Sequence, residues 1–154
     1  MGGRRRNLIE LSGLAALERK AVAVYDGAIH AISVTPVRER LREFCREHEQ
    51  RLPELAEAAG HMRGALYCVE GIPEASAGGL EAARGEAGSA VNIELMRRNE
   101  EFMAATYAGL DRRGHPEGIR TLLARWLDEE SAHAAYFRRC VEERVWETFI
   151  MPVR

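Results

Sequence analysis

Apolar residues recur along this chain at helical spacing, and a few charged residues interrupt the stripes at matched places. One stripe runs Leu11, Leu14, Glu18, Ala21, Tyr25, Ala28, Ile32, and another runs Ile93, Met96, Glu100, Met103, Tyr107, Leu110. Two more run Arg38, Leu41, Cys45, His48, Leu52, Leu55, Ala59 and Ile119, Leu123, Trp126, Glu130, His133, Phe137, Cys140. All advance by alternating steps of three and four, the period of a helix face that packs in a bundle. The pattern predicts four helices over about 7–33, 36–60, 89–112 and 116–146, with little or no sheet.

Caps and breakers set these boundaries. Asn7 with Glu10 three residues later resembles a capping box, and Ser12 offers an alternative start. Thr35-Pro36 opens the second helix, and Gly60 closes it with Pro53 inside as an expected kink. Gly114 and Pro116 mark the last turn. Residues 61–88 hold Gly64, Gly71, Gly78, Gly79, Gly85 and Pro73, which reads as a long connection. Short, long and short connections specify two antiparallel hairpins joined by a crossover. A helix of about 24 residues is roughly 36 Å long, and the crossover has chain enough to travel that distance. The whole chain, 1–154, reads as a single domain.

Composition narrows the function classes. Alanine, leucine, glutamate and arginine dominate, which favours helix. A net charge of −2 at pH 7 gives no case for nucleic-acid binding. Arg4, Arg5 and Arg6 precede no apolar h-region, and no apolar run approaches the roughly 20 residues that span a bilayer, so neither a signal peptide nor a membrane segment is expected. Cys45, Cys68 and Cys140 are widely spaced and form no C-x-x-C. That spacing points to a reducing, cytoplasmic setting and away from rubredoxin-type or zinc-knuckle sites.

A carboxylate in an apolar stripe is costly unless neutralised. Glu18 precedes Tyr25 by seven residues, and Glu100 precedes Tyr107 by seven. Glu130 and His133 stand at i and i+3 on one face, and His48 holds the corresponding place in the second segment, with Cys45 where Glu130 would be. Counted from the short loops, Glu18 and His48 lie at one level, and Glu100 and Glu130 at another common level. Taken singly, each has a plain reading: a snorkelling glutamate, a satisfied core histidine, a tyrosine with a bonded hydroxyl. Jointly, carboxylates and imidazoles converging in a dry core are a ligand set for two closely spaced divalent metals.

On Glu18, Tyr25, His48, Glu100, Tyr107 and Glu130-Ser-Ala-His133, the chain resembles the ferritin-like superfamily, near rubrerythrin-type bacterial bundles, over roughly residues 8–145. The resemblance implies an all-α, ferritin-like four-helix bundle. It implies Glu18, His48, Glu100, Glu130 and His133 as ligands to two irons, with manganese or zinc as alternatives. It implies oxidoreductase chemistry with dioxygen, peroxide or ferrous iron, an external electron donor, and Tyr25 and Tyr107 as ligand partners or electron carriers. The sequence departs from the pattern at Cys45, where the second Glu-x-x-His lacks its glutamate; Glu49, one turn on, is a substitute that lies off the stripe. Five ligands, a single metal, or a metal-free structural or interaction bundle are the readings this leaves open. Leu17, Val22, Val24 and Ile29 exceed what one buried seam of the first helix requires, and Trp146, Phe149 and Ile150 form a terminal apolar patch. A homodimer or larger assembly is expected.

Overall fold

The structure, a computed structural model, describes residues 2–62, 64 and 79–147, and among them there are four α-helices and no strand. Helix α1 spans Gly2–Ala31, α2 Thr35–His61, α3 Gly88–Asp111 and α4 Glu117–Glu142. Cys68, Phe149, Ile150 and the middle of the expected crossover lie outside the described residues.

The helix interiors fall where the stripes put them, and the ends differ. Helix α1 begins ahead of Asn7, which sits buried inside the helix rather than capping it. Arg4 to Arg6 are good helix formers, so nothing stops the helix there. Helix α2 is capped by Val34 without a side-chain hydrogen bond, Thr35 is already helical, and Pro53 is carried within it. Helix α4 stops at Glu142, short of Trp146, where the chain turns through Arg144 at φ 48°. A left-handed residue cannot continue a right-handed helix.

Contacts at the helix ends fix the directions. Ser33, just past α1, donates its backbone N–H to Ser89 Oγ at the start of α3 (2.9 Å). Glu10, early in α1, lies 3.2 Å from His115 beyond the end of α3. Helices α1 and α3 are therefore antiparallel. Arg40, early in α2, stacks on Tyr136, late in α4, and Glu54, late in α2, accepts from Trp126 Nε1, early in α4 (3.2 Å). Helices α2 and α4 are antiparallel as well. With antiparallel hairpins α1–α2 and α3–α4, α2 and α3 run in the same direction, and the segment between them carries the chain from one end of the bundle to the other.

That segment returns along α3. Gly79 passes so close to Phe102 that a Cβ there would collide with the ring. Asn99 accepts the Glu81 N–H and donates to its carbonyl, both at 2.9 Å, and Asn92 does the same for Arg84 at 2.8 and 2.9 Å. The two buried amides satisfy backbone groups that an irregular segment would otherwise leave without partners. Leu80 of this segment is buried, and Ala83 lies over Gly27 of α1.

The core is built from the stripe residues, with Leu41, Leu55, Ile93, Met96, Met103 and Phe137 fully enclosed. Leu17 and Val24, which prompted the expectation of self-association, are buried within the chain's own core, and Val22 and Ile29 pack partly against it. No described helix is long and apolar enough to cross a membrane.

Replacing Leu41 by alanine removes a fully enclosed side chain and should cost about 2–5 kcal/mol in urea denaturation. The same change at Ile9, which is 45% exposed, should stay within about 0.5 kcal/mol. Equal losses at the two positions would contradict this core.

Candidate metal centre

Each helix sends a carboxylate, an imidazole or both into the centre of the bundle. Glu18 comes from α1, His48 from α2, Glu100 from α3, and Glu130 and His133 from α4; none is more than 1% exposed. His48, Glu100, Glu130 and His133 each place one ligand-type atom within 4.8 Å of the others. Four of the five expected ligands thus form one compact group, and Glu18 lies beside it.

Glu18 is held by three neighbours. Its Oε2 accepts from His48 Nδ1 at 2.6 Å, and its Oε1 accepts from Arg51 Nη1 at 3.0 Å and from the Tyr107 hydroxyl. Burial pushes its carboxyl up, but His48, Arg51 and the Tyr107 hydrogen bond outweigh that and hold it below the usual range. An ionised carboxylate only accepts, so Nδ1 of His48 carries the proton. The opposite nitrogen, Nε2, is buried without a hydrogen-bond partner and points toward Glu130 Oε1, 3.4 Å away.

His133 is arranged the other way round. Its Nε2 donates outward to Glu47, and its Nδ1 faces inward, 3.1 Å from Glu100 Oε2 and 3.8 Å from Glu130 Oε2. Burial opposes its charge, yet Glu100 and Glu47 together raise its pKa. Glu130 shifts upward, driven first by burial and then by the Glu100 carboxylate, while hydrogen bonding by His133 keeps Glu100 low despite burial. Both upward shifts favour the protonated forms of Glu130 and His133, which lowers the negative charge of the centre. No neighbouring N–H or O–H donates to Glu130 Oε2, while a hydrogen on Glu130 itself is shared with the Glu100 carboxylate.

Both histidines share one design. A carboxylate (Glu18 or Glu47) accepts a hydrogen bond from one ring nitrogen, and the other nitrogen is aimed at the four-donor group. This is the arrangement that fixes ring orientation and tautomer in metal-ligating histidines. The donor chemistry, two imidazole nitrogens and two carboxylates with a nitrogen and an oxygen that no neighbouring donor reaches, fits a divalent ion of the first transition row.

Arg51 enters the centre unannounced by the sequence pattern. It is 1% exposed, and its Nη1 contacts Glu18 and Glu130 while Nη2 reaches Glu129 at 2.9 Å. Its guanidinium also lies over the Tyr107 ring, 5.3 Å from the centroid. Position 51 lies one residue before Leu52 on the stripe, and a long side chain there reaches back to the level of His48. The signal available was charge: three carboxylates on stripes called for a cation nearby. Glu47 was missed for a similar reason, because it lies beside the stripe and reaches the centre only through His133. A surface cavity of about 420 Å³ between α2 and α4 is walled in part by Glu47, Arg51 and Glu129, the residues on the solvent side of the centre, and none of the four donors lines it.

The remaining candidates fall as follows. Tyr25 is enclosed beside His48, ring centroids 5.0 Å apart, and its hydroxyl is pushed up by burial, by the charges of Glu100 and Glu130, and by hydrogen bonding toward Glu100. Tyr107 donates to Glu18 and is likewise pushed up by burial and that carboxylate. Cys45 and Glu49 contact one another, Sγ to Oε1 at 3.6 Å, and neither belongs to the four-donor group.

Compared with protein-family models, curated proteins and solved structures, the chain matches none.

Burial, with Glu49 and Asp26 nearby, pushes the Cys45 thiol up to about 12. At pH 8 about one molecule in ten thousand then carries the thiolate that reacts with alkylating agents. Mass-spectrometric mapping after iodoacetamide treatment should find Cys45 unmodified in the folded protein and modified in guanidinium. Rapid native modification would place Cys45 in a different environment.

Proposed function

We propose that this chain is a ferritin-like metal protein, an oxidoreductase whose buried donors hold a redox-active divalent metal. Iron is the first choice, and the partners in reaction are dioxygen, peroxide or ferrous iron. The observation that carries the reading is the fully buried four-residue donor group, in which His48 Nε2 has no hydrogen-bond partner and no neighbouring donor reaches Glu130 Oε2. Polar atoms enclosed without partners cost stability, and a bound ion relieves that cost. The parallel course of α2 and α3, with the chain crossing the bundle between them, supports the ferritin-like topology.

His48, Glu100, Glu130 and His133 would hold the ion, and Glu18 and Glu47 would orient the two imidazoles. A bound redox metal supplies one-electron chemistry with oxygen species. The chain's own contribution is a dry setting, two oriented imidazoles, and enclosed phenols at Tyr25 and Tyr107. A homodimer and an external electron donor belong to the same proposal.

Arg51 favours a second reading. Its ion pairs with Glu18 and Glu130 already neutralise part of the buried charge, as a metal-free bundle acting through its surfaces would require.

Metal analysis separates the two. Untagged protein reconstituted anaerobically with ferrous iron and desalted should retain at least one equivalent per chain, and His133→Ala should lose it while keeping its helical spectrum. Folded wild-type protein that retains no iron, manganese or zinc would leave only the metal-free reading. Within the metal reading, Glu47→Gln should weaken metal affinity by about 10–100-fold, the usual effect of removing a carboxylate that orients a ligating histidine. An unchanged affinity in a competition assay would remove Glu47 from that role.

A further inference from the structure

We infer that Arg51 occupies the place of a second metal ion, so that the centre takes one divalent ion per chain beside a fixed guanidinium. The inference rests on the metal reading above and sets its stoichiometry.

The first argument is position. A second ion between α1 and α2 would be held by Glu18 on one side and bridged by Glu130 on the other. Arg51 Nη1 already lies 3.0 Å from Glu18 Oε1, contacts Glu130 Oε1, and lies 3.4 Å from His48 Nδ1. One guanidinium nitrogen therefore touches one oxygen of each carboxylate, as a bridging cation would. The His48 nitrogen on that side faces Glu18 rather than an empty space, and only the opposite nitrogen is without a partner. His48 Nε2 and Glu130 Oε2, which no neighbouring donor reaches, belong to the four-donor group with Glu100 and His133, and Oε2 lies 3.8 Å from His133 Nδ1.

The second argument is charge. Glu18, Glu100 and Glu130 bring three carboxylates to positions at most 1% exposed, and Arg51 is the one arginine or lysine among the described residues buried with them. One guanidinium and one divalent ion balance three carboxylates, with both histidines neutral. A second divalent ion beside Arg51 would leave two surplus positive charges in a low-dielectric core, where they are least tolerated. Glu47 and Glu129 at the rim are 44% and 30% exposed and already engaged with His133 and Arg51, so solvent screens what they add.

The third argument is anchorage. Nη2 and Nε of Arg51 bond Glu129 at 2.9 and 3.3 Å, and Tyr107 lies beneath the guanidinium. A cation tied at this many points does not withdraw to admit an ion.

The test is a count and a spectrum. Wild-type protein dialysed anaerobically against excess Mn(II) should retain one equivalent and show the paramagnetic resonance signal of an isolated Mn(II) ion. Arg51→Met removes the guanidinium and keeps an apolar chain to fill the space; it should retain two equivalents and show an exchange-coupled pair. Arg51→Lys, which keeps the charge, should retain one. Two coupled ions in the wild type would overturn the inference and leave the metal reading intact. Folded wild type that retains no Mn(II) here, and no iron or zinc in the same dialysis, would overturn the metal reading and the inference with it. Folded Arg51→Met that still holds one ion would show that the missing carboxylate at position 45, not the guanidinium, sets the count, and would also overturn the inference. Should Arg51→Met fail to fold, the wild-type spectrum decides, an isolated ion supporting the inference and a coupled pair ending it.

Discussion

Three glutamates reach the dry centre of this bundle, and the surrounding groups are arranged to balance them. An uncompensated carboxylate in such a place costs several kcal/mol, far more than a single apolar contact returns. Arg51 bonds Glu18 and Glu130, Tyr107 donates to Glu18, and each histidine donates toward a carboxylate. The upward shifts of Glu130 and His133 act in the same direction. A polar cluster of this kind is a poor source of stability, since apolar residues of similar size would often serve as well. Its presence at full burial therefore asks for a chemical reason, and the donor atoms at its middle supply one.

Balancing charge at one point requires donors from all four helices to arrive at the same depth. The short α1–α2 and α3–α4 connections fix depth within each hairpin, because few residues separate each donor's helix from its partner's. Depth between hairpins has to be set by something else. The returning segment does this along α3, where Asn92 and Asn99 bind its backbone as a neighbouring strand would and Leu80 enters the core. Residues 79–87 are thus packed between the hairpins, on Asn92 and Asn99 of α3 and against Gly27 of α1.

Most of this was legible in the sequence because helical period and burial coincide. Glu18, His48, Glu100, Glu130 and His133 were found on stripes, and all are buried together. The helix ends were less legible: Asn7 resembles a cap, but helix-forming residues upstream override it, and a single left-handed residue at 144 ends α4 early. Arg51 and Glu47 escaped because periodicity reports where a Cα faces, not how far a long side chain reaches. Both sit beside the seam; the Arg51 guanidinium reaches the centre through six bonds, and Glu47 touches it only through His133. A charge inventory of the stripes, made with the same sequence, would have asked for Arg51 by name.

Cys45 and Arg51 then become two sides of one balance. At position 45 a glutamate would add a fourth negative charge to the centre, which one guanidinium and one divalent ion would not offset. The thiol that stands there is kept protonated by burial and by the glutamate it contacts, so it adds no charge. It fills volume in the core while Arg51, two turns along the same helix, brings a permanent positive charge into the space a further ion would need. A site designed for two exchangeable ions wants four carboxylates and no fixed cation; this one has three and an arginine. Read singly, the cysteine looks like a defect in a ligand motif. With Arg51 on the same helix, a neutral residue at 45 leaves three buried carboxylates around one guanidinium, the balance that the proposed single divalent ion would complete.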